Sequence, residues 1–287
     1  MKLGVSSYSF QQYIRAGKLT QLSAIAAAKE IGFAAIEFTD LTPPAGTTPR
    51  EYAREIRREA ERLGMTVNAY TVGAELYQPT PEAEAAELAR MKEQIDVAEL
   101  LGATLLRHDV CRNLTGKGSG RSFDLMLPTL SKNARILTEY AAAKGIRTCS
   151  ENHGYLAQDS DRVERLINAV AHDNYGVLID MGNFACVDED SAMAVSRLAP
   201  LAVHVHAKDF QKRPFAAGPA EGYFMTRGCN YLRGAAVGEG DIPVKQCIAI
   251  LRRAGYDGYL SLEYEGHEDC IEGIKKGYAA LCRYLAE

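Results

Sequence analysis

Four short apolar or β-branched runs each end in a side chain able to bind a divalent metal ion. They are Glu151 in Cys149-Ser150-Glu151, Asp180 in Val177-Leu178-Ile179-Asp180, His206 in Val203-His204-Val205-His206, and Glu263 in Leu260-Ser261-Leu262-Glu263. Three carboxylates and one imidazole form an oxygen-rich set. It suits a single Mn²⁺ or Mg²⁺ ion and admits Co²⁺ or Zn²⁺. An ion chelated by a ketone oxygen and its neighbouring hydroxyl acts as a Lewis acid, stabilising the enediolate left when an α-proton departs. Two carboxylates on opposite faces of that planar species would epimerise the carbon. One carboxylate shuttling between adjacent carbons would isomerise an aldose and a ketose. Loss of a β-hydroxyl would make the enzyme a dehydratase or lyase. The ligand types alone do not choose among these outcomes.

Such a set converges only if the four runs are strands ending on one rim. Strand-like patterns fall at roughly 2–10, 34–40, 66–73, 103–109, 147–153, 175–181, 201–208 and 258–265, each followed by a helical pattern. Glycines stop the helices in Ile31-Gly32, Leu63-Gly64, Leu101-Gly102, Lys144-Gly145 and Ala254-Gly255, while Pro49, Pro81 and Pro243 sit where first-turn prolines are tolerated. Eight β-then-α units predict an α/β fold: a single (β/α)8 TIM barrel spanning 1–287. An open doubly wound sheet would place a glycine-rich loop after its first strand, and Gln11 to Arg15 contains none. The stretch 210–241, after the seventh strand, exceeds the usual βα loop. It leaves from the face where barrel active sites form and carries Arg227 and Arg233. A lid over the site is the expectation. Tyr223, Phe224 and Tyr231 would equally suit a contact between copies in a homo-oligomer.

Residues two apart on a strand share a face. Glu151 therefore brings Cys149 and His153 inward, His206 brings His204 and Lys208, and Glu263 brings Ser261 and Glu265. His153 and Lys208 are candidates to hydrogen-bond substrate oxygens. His108 is assigned to substrate contact at the end of the fourth strand, with Arg107 and Asp109 turned toward the helices. Glu37 belongs to a polar period opposite Ile36 and Phe38, which places it in the barrel near the pocket; a buried salt bridge is its other reading. Burying so many ionisable groups costs several kcal/mol unless they are paired or metal-bound.

Over 287 residues the net charge is −4, which gives no reason to expect nucleic acid or an anionic membrane as partner. Seven scattered cysteines with no C-x-x-C pair argue against a disulfide framework and for a reducing compartment. The first residues read as a strand, not as an apolar signal segment, and no apolar run approaches a bilayer span. The expected location is the cytoplasm.

The order Glu, Asp, His, Glu on strands five to eight resembles the xylose-isomerase-like sugar isomerase/epimerase superfamily. Three further motifs carry the resemblance: Ile179-Asp180-Met181-Gly182-Asn183, His204-Val205-His206-Ala207-Lys208-Asp209, and Val237-Gly238-Glu239-Gly240-Asp241-Ile242-Pro243. It extends over essentially the whole chain. Members include ketose 3-epimerases, hydroxypyruvate isomerase, inosose isomerase and inosose dehydratase. The resemblance implies Glu151, Asp180, His206 and Glu263 as metal ligands, Glu151 and Glu263 as the acid/base pair, and a small carbohydrate as substrate. The expected activity is isomerisation or epimerisation of a keto-sugar or related polyhydroxy carbonyl compound. A dehydratase or lyase acting on a keto-inositol or keto-sugar is the alternative, and a non-catalytic sugar-binding or assembly subunit is the second. Ketose 3-epimerases carry a histidine three residues after the metal aspartate, where this chain has Asn183. A nuclease branch of the superfamily, which cleaves abasic DNA, needs many histidine ligands and a basic surface. Six histidines and an acidic balance count against it.

Overall fold

Residues 1–111 and 122–287 are described by a computed structural model of the chain. Eight parallel strands close into a barrel: β1 (Lys2–Ser6), β2 (Ala35–Thr39), β3 (Thr66–Val72), β4 (Leu105–His108), β5 (Arg147–Glu151), β6 (Tyr175–Asp180), β7 (Ala202–Ala207) and β11 (Tyr259–Leu262). Closure comes from β1, which pairs in parallel with both β2 and β11. Between β7 and β11 lie β8 (Asp209–Arg213), β9 (Phe224–Met225) and β10 (Tyr231–Ala235), a separate three-stranded antiparallel sheet.

The surrounding helices are α1 (Gln11–Arg15), α2 (Gln21–Ile31), α3 (Pro49–Leu63), α4 (Pro81–Leu101), α5 (Phe123–Ala142), α6 (Ser160–Val170), α7 (Ser191–Leu198), α8 (Val244–Arg253) and α9 (Cys270–Ala286). Their ends follow local chemistry. Thr48 and Glu51 form a reciprocal cap at the start of α3 beside Pro49, and Gly64 ends that helix at φ 62°. No helix among the described residues is long and apolar enough to cross a membrane.

Alternation along the strands divides the apolar side chains between two compartments. Ile36, Phe38, Leu106, Ile179, Val205 and Leu260 are buried in the large cluster between barrel and helices. Ala69, Leu105, Cys149 and Leu178 form a separate small cluster. These four fill the barrel interior, because Cys149 and Leu178 lie two residues before Glu151 and Asp180 on the same faces. Fully burying a leucine or phenylalanine contributes about 1.5–3 kcal/mol, so the outer compartment supplies most of the stability. The interior layer is a platform for the polar side chains above it.

The stretch 210–241 is an ordered sheet and not a bare loop. Asp209, almost fully buried, organises its return. Its Oδ1 accepts hydrogen bonds from Phe210 N (2.9 Å) and Ile242 N (3.0 Å), and its Oδ2 from Gly238 N (2.9 Å) and Gly240 N (3.0 Å). A Cβ at Gly240 would lie 2.2 Å from Asp209 Oδ1, so only glycine fits that turn. At the far end, Asp188 Oδ1 accepts from Thr226 Oγ1 and Asn230 Nδ2, both at 2.9 Å, tying the β9–β10 turn to the segment after β6.

Asp209→Ala strands four N–H donors at once, those of Phe210 and Ile242 buried. It should lower the unfolding free energy by about 3–5 kcal/mol, with Asp209→Asn costing less because one acceptor survives. Chemical denaturation checks this, and a loss below about 1 kcal/mol for the alanine variant would contradict it.

Candidate metal centre and substrate cavity

Parallel pairing brings the four ligand-type residues together. β5, β6, β7 and β11 are consecutive neighbours in the barrel, with Glu151 in register with Leu178, Asp180 with His206, and His206 with Ser261. One donor atom from each of Glu151, Asp180, His206 and Glu263 lies within 4.8 Å of all the others. His206 Nδ1 stands 3.8 Å from Glu151 Oε1, 3.7 Å from Asp180 Oδ2 and 3.4 Å from Glu263 Oε2. Those gaps are too long for hydrogen bonds. Atoms bound to one ion at about 2.0–2.2 Å, however, are spaced by about 3–4 Å. Among the described residues His206 Nδ1 and Asp180 Oδ2 are buried and make no hydrogen bond, although Lys208 Nζ stands 3.1 Å from the latter, so both are free to ligate an ion. The residues fit a divalent ion.

Each ligand is braced from behind. Asp180 Oδ1 accepts from Gly182 N (2.8 Å) and Asn183 N (2.9 Å), which turns Oδ2 inward. Asn152 latches β5 to β6 by bonding both the N–H and the carbonyl of Asp180. Glu37 Oε1 lies 2.7 Å from His206 Nε2, off-axis for a hydrogen bond but at ion-pair distance. Its Oε2 lies 2.7 Å from His204 Nε2. Burial would raise the Glu37 carboxyl, but His206 and His204 outweigh it and hold the group far below the usual carboxylate range. Glu37 therefore lies beneath the centre and orients the imidazole rather than lining the cavity. Glu37, His204 and His206 form a second cluster of ligand types, but it is sealed and its carboxylate is already shared by two rings.

Two buried cations offset the acidic set. Arg107 donates from Nε to Glu151 Oε2 at 2.5 Å, contacts the same oxygen through Nη2, and places Nη1 3.4 Å from Asp109 Oδ1. Asn183 Nδ2 donates to the other oxygen, Glu151 Oε1, at 2.9 Å. Lys208 Nζ lies 2.7 Å from Glu263 Oε2, 3.1 Å from Asp180 Oδ2 and 3.6 Å from Glu265 Oε1, and donates to Asn183 Oδ1 at 3.2 Å. Burial would discharge Lys208, but Asp180, Glu263 and Glu265 hold its pKa well above the ordinary value. Burial likewise opposes ionisation of Glu263, yet Lys208 and His206 keep its carboxyl well below the usual range. Among the described residues the carboxylates of this set still outnumber the permanent cations.

The set opens into a cavity of about 680 Å³ lined by Arg107, Asp109, Glu151, His153, His206, Lys208, Glu263 and Glu265 and, farther out, by the segments after β1, β2 and β3. His153, assigned to substrate contact, lies on this wall with Nδ1 3.0 Å from Asp109 Oδ1, and Lys208 lies at its floor. His108 does not reach the cavity. It is fully buried on the opposite face of β4, beside Asp109 O (2.8 Å) and the Tyr175 ring. Arg107 and Asp109, expected to face the helices, turn inward instead. The reason is the interior layer: Leu105 packs with Cys149 inside the barrel, so 105, 107 and 109 share that face. No residue from 210 to 241 lines the cavity. Arg227 is bound to Asp159 Oδ2 (3.1 Å) and the Tyr155 carbonyl, and Arg233 lies 3.7 Å from Glu268 and over the Tyr223 ring.

A closed parallel barrel with ligand-type side chains on its C-terminal rim defines a class, and the comparisons agree. The chain belongs to the xylose isomerase-like TIM barrel family, whose model matches residues 25–287. No curated protein sequence matches it significantly. Among solved structures it is similar to the IolI protein with a bound zinc atom (TM-score 0.78, 12% identity, covering 100% of this chain and 98% of that one). It is also similar to the 3-keto-D-glucoside 4-epimerase YcjR from E. coli (TM-score 0.74, 18% identity, 99% of each chain). A third neighbour is AsbF of Bacillus anthracis, a probable 3-DHS dehydratase of petrobactin synthesis (TM-score 0.74, 16% identity, 98% and 99%). At these identities the likeness shows the fold.

Removing His206 takes one ligand from the rim and leaves the packed layers intact. His206→Ala should lose most bound metal by elemental analysis while keeping its circular dichroism spectrum, and full occupancy would sink the assignment. His108 supports a second expectation, because burial pushes its pKa down to about 4. The unfolded chain takes up this proton near pH 6.5 and the folded chain does not. Stability should thus fall as pH drops from about 6.5 to about 4, by on the order of 3 kcal/mol. His108→Gln should flatten that part of the stability curve; an unchanged slope would assign the acid sensitivity to other groups.

Proposed function

We propose that this protein is a divalent-metal-dependent isomerase or epimerase that moves an α-proton of a keto-sugar or related polyhydroxy carbonyl compound. The observation carrying this reading is the convergence of Glu151, Asp180, His206 and Glu263 on one point at the end of a large polar cavity. A bound Mn²⁺ or Mg²⁺ would supply Lewis-acid polarisation of the substrate carbonyl. The zinc atom bound by the neighbouring IolI protein supports metal binding on this fold.

The chain's own side chains divide the remaining work. Glu151 and Glu263 come from strands separated by two others, so their carboxylates approach the centre from different sides. An oxygen of one takes the α-proton, and an oxygen of the other returns a proton to the opposite face, inverting the carbon. If a single carboxylate carries the proton to the adjacent carbon, the product is an isomer instead. Arg107 and Asn183 each bond a different oxygen of Glu151 and fix its plane, while Lys208 pairs with one oxygen of Glu263, Oε2. Lys208 and His153 also present donors to substrate oxygens from the wall. Elimination of a β-hydroxyl is the second reading, supported by the dehydratase among the structural neighbours.

Glutamine at either acid/base position keeps an oxygen for the ion but cannot accept a proton at neutral pH. Glu151→Gln and Glu263→Gln should each slow α-proton exchange by at least about a hundredfold, a loss larger than their loss of metal affinity. The measurement is deuterium incorporation from D₂O into panels of keto-sugars and keto-inositols, read by NMR after the ion is removed. The labelled carbon identifies the transfer site, and an unsaturated product would reveal elimination. Wild-type exchange rates in both variants would contradict the mechanism.

A further inference from the structure

The ligand set occupies one end of the cavity. Much of the remaining wall comes from the segments after β1, β2 and β3. At about 680 Å³ the cavity lies well inside the roughly 300–1,000 Å³ range of pockets that enclose drug-sized ligands, so it has room for more than one monosaccharide.

The chemistry of that outer wall is selective. Its rear is self-satisfied: Arg90 donates to Glu87 (2.7 and 2.8 Å) and to Gly73 O (2.7 Å), and Glu87 accepts from Glu75 N (2.9 Å). The charges there are spent on holding the loop after β3. In front of it the polar groups are free. The Gln11 amide, the Arg15 guanidinium and the Tyr8 hydroxyl line the cavity without a hydrogen-bond partner among the described residues, and Asp40 gives only Oδ2 to Gly73 N (3.3 Å). Arg15 offers only donors, Asp40 only acceptors, and Gln11 both. The Arg15 and Asp40 charges offset each other and Arg90 offsets Glu87, which with the Glu75 carboxylate on the same wall leaves an anion nothing to gain at this end. A hydroxyl group, which donates and accepts, satisfies Arg15, Asp40 and Gln11 alike. The half-buried Tyr8 ring adds a flat face for C–H groups.

We propose that the substrate is a keto-sugar carrying a second uncharged hydroxylated unit, a glycosyl group, which Gln11, Arg15 and Asp40 bind beside Tyr8. This rests on the reading that the metal centre acts on a keto-sugar, and the test separates the two. Binding of D-fructose is compared with that of its glucosyl derivatives isomaltulose and turanose by calorimetry on the Mn²⁺-loaded protein, alongside α-proton exchange in D₂O. The wild type should prefer a disaccharide by about tenfold or more, and Gln11→Ala/Asp40→Ala should cut that preference by about tenfold while thermal stability holds. Equal affinity of the wild type for fructose and both disaccharides overturns the proposal. So does an unchanged preference in the folded double variant. A disaccharide preference that depends on Gln11 and Asp40, with no exchange on any sugar, upholds the subsite and overturns the proposed reaction.

Discussion

Carboxylates crowded at the rim of an apolar barrel repel one another and lose hydration, and that penalty shapes the structure around them. Glu151, Asp180 and Glu263 converge on one point with Glu265 and Asp109 nearby, and among the described residues only Arg107 and Lys208 bring permanent positive charge to them. Isolated buried charges of this kind would neutralise by shifting their pKa values. Here Lys208 and His206 hold the Glu263 carboxyl well below its ordinary range against the cost of burial, and a divalent ion would add to that balance. The same requirement accounts for Glu37 beneath His206, which fixes the ring so that Nδ1 faces the carboxylates.

The barrel meets this demand through layers. Small and apolar side chains, Ala69, Leu105, Cys149 and Leu178, fill the interior below, and polar side chains two residues further along stand above them. Helices and the outer cluster carry the stability, which frees the rim for charged groups that contribute little to folding. The added sheet of β8, β9 and β10 is fastened by Asp209 and Asp188 and lies outside the cavity wall. Its Arg227 and Arg233 contact neighbouring segments and do not line the cavity.

Much of this was legible in the sequence because strands repeat every two residues. Runs such as Val203-His204-Val205-His206 state their parity openly, and the structure brings their polar faces together. The fourth strand was not legible. Leu105-Leu106 offers an apolar residue to each side, so local pattern cannot tell which face is inward, and Arg107 was missed while His108 was placed in the pocket. The sheet within 210–241 was hidden for another reason. Its order depends on carboxylates at 188 and 209 reaching far along the chain, and such bonds leave no periodic trace. Tyr8 and Gln11 escaped notice because one strand end with ordinary polar residues carries no signal until the opposite wall is known.

The central claim is that one divalent ion sits among Glu151, Asp180, His206 and Glu263. Anomalous diffraction from a Mn²⁺-loaded crystal, collected near the manganese absorption edge, tests it most directly. The account predicts a single strong peak about 2.0–2.3 Å from His206 Nδ1 and from an oxygen of each carboxylate. A peak among Glu37, His204 and His206, or no peak in the barrel mouth at saturating Mn²⁺, would contradict it.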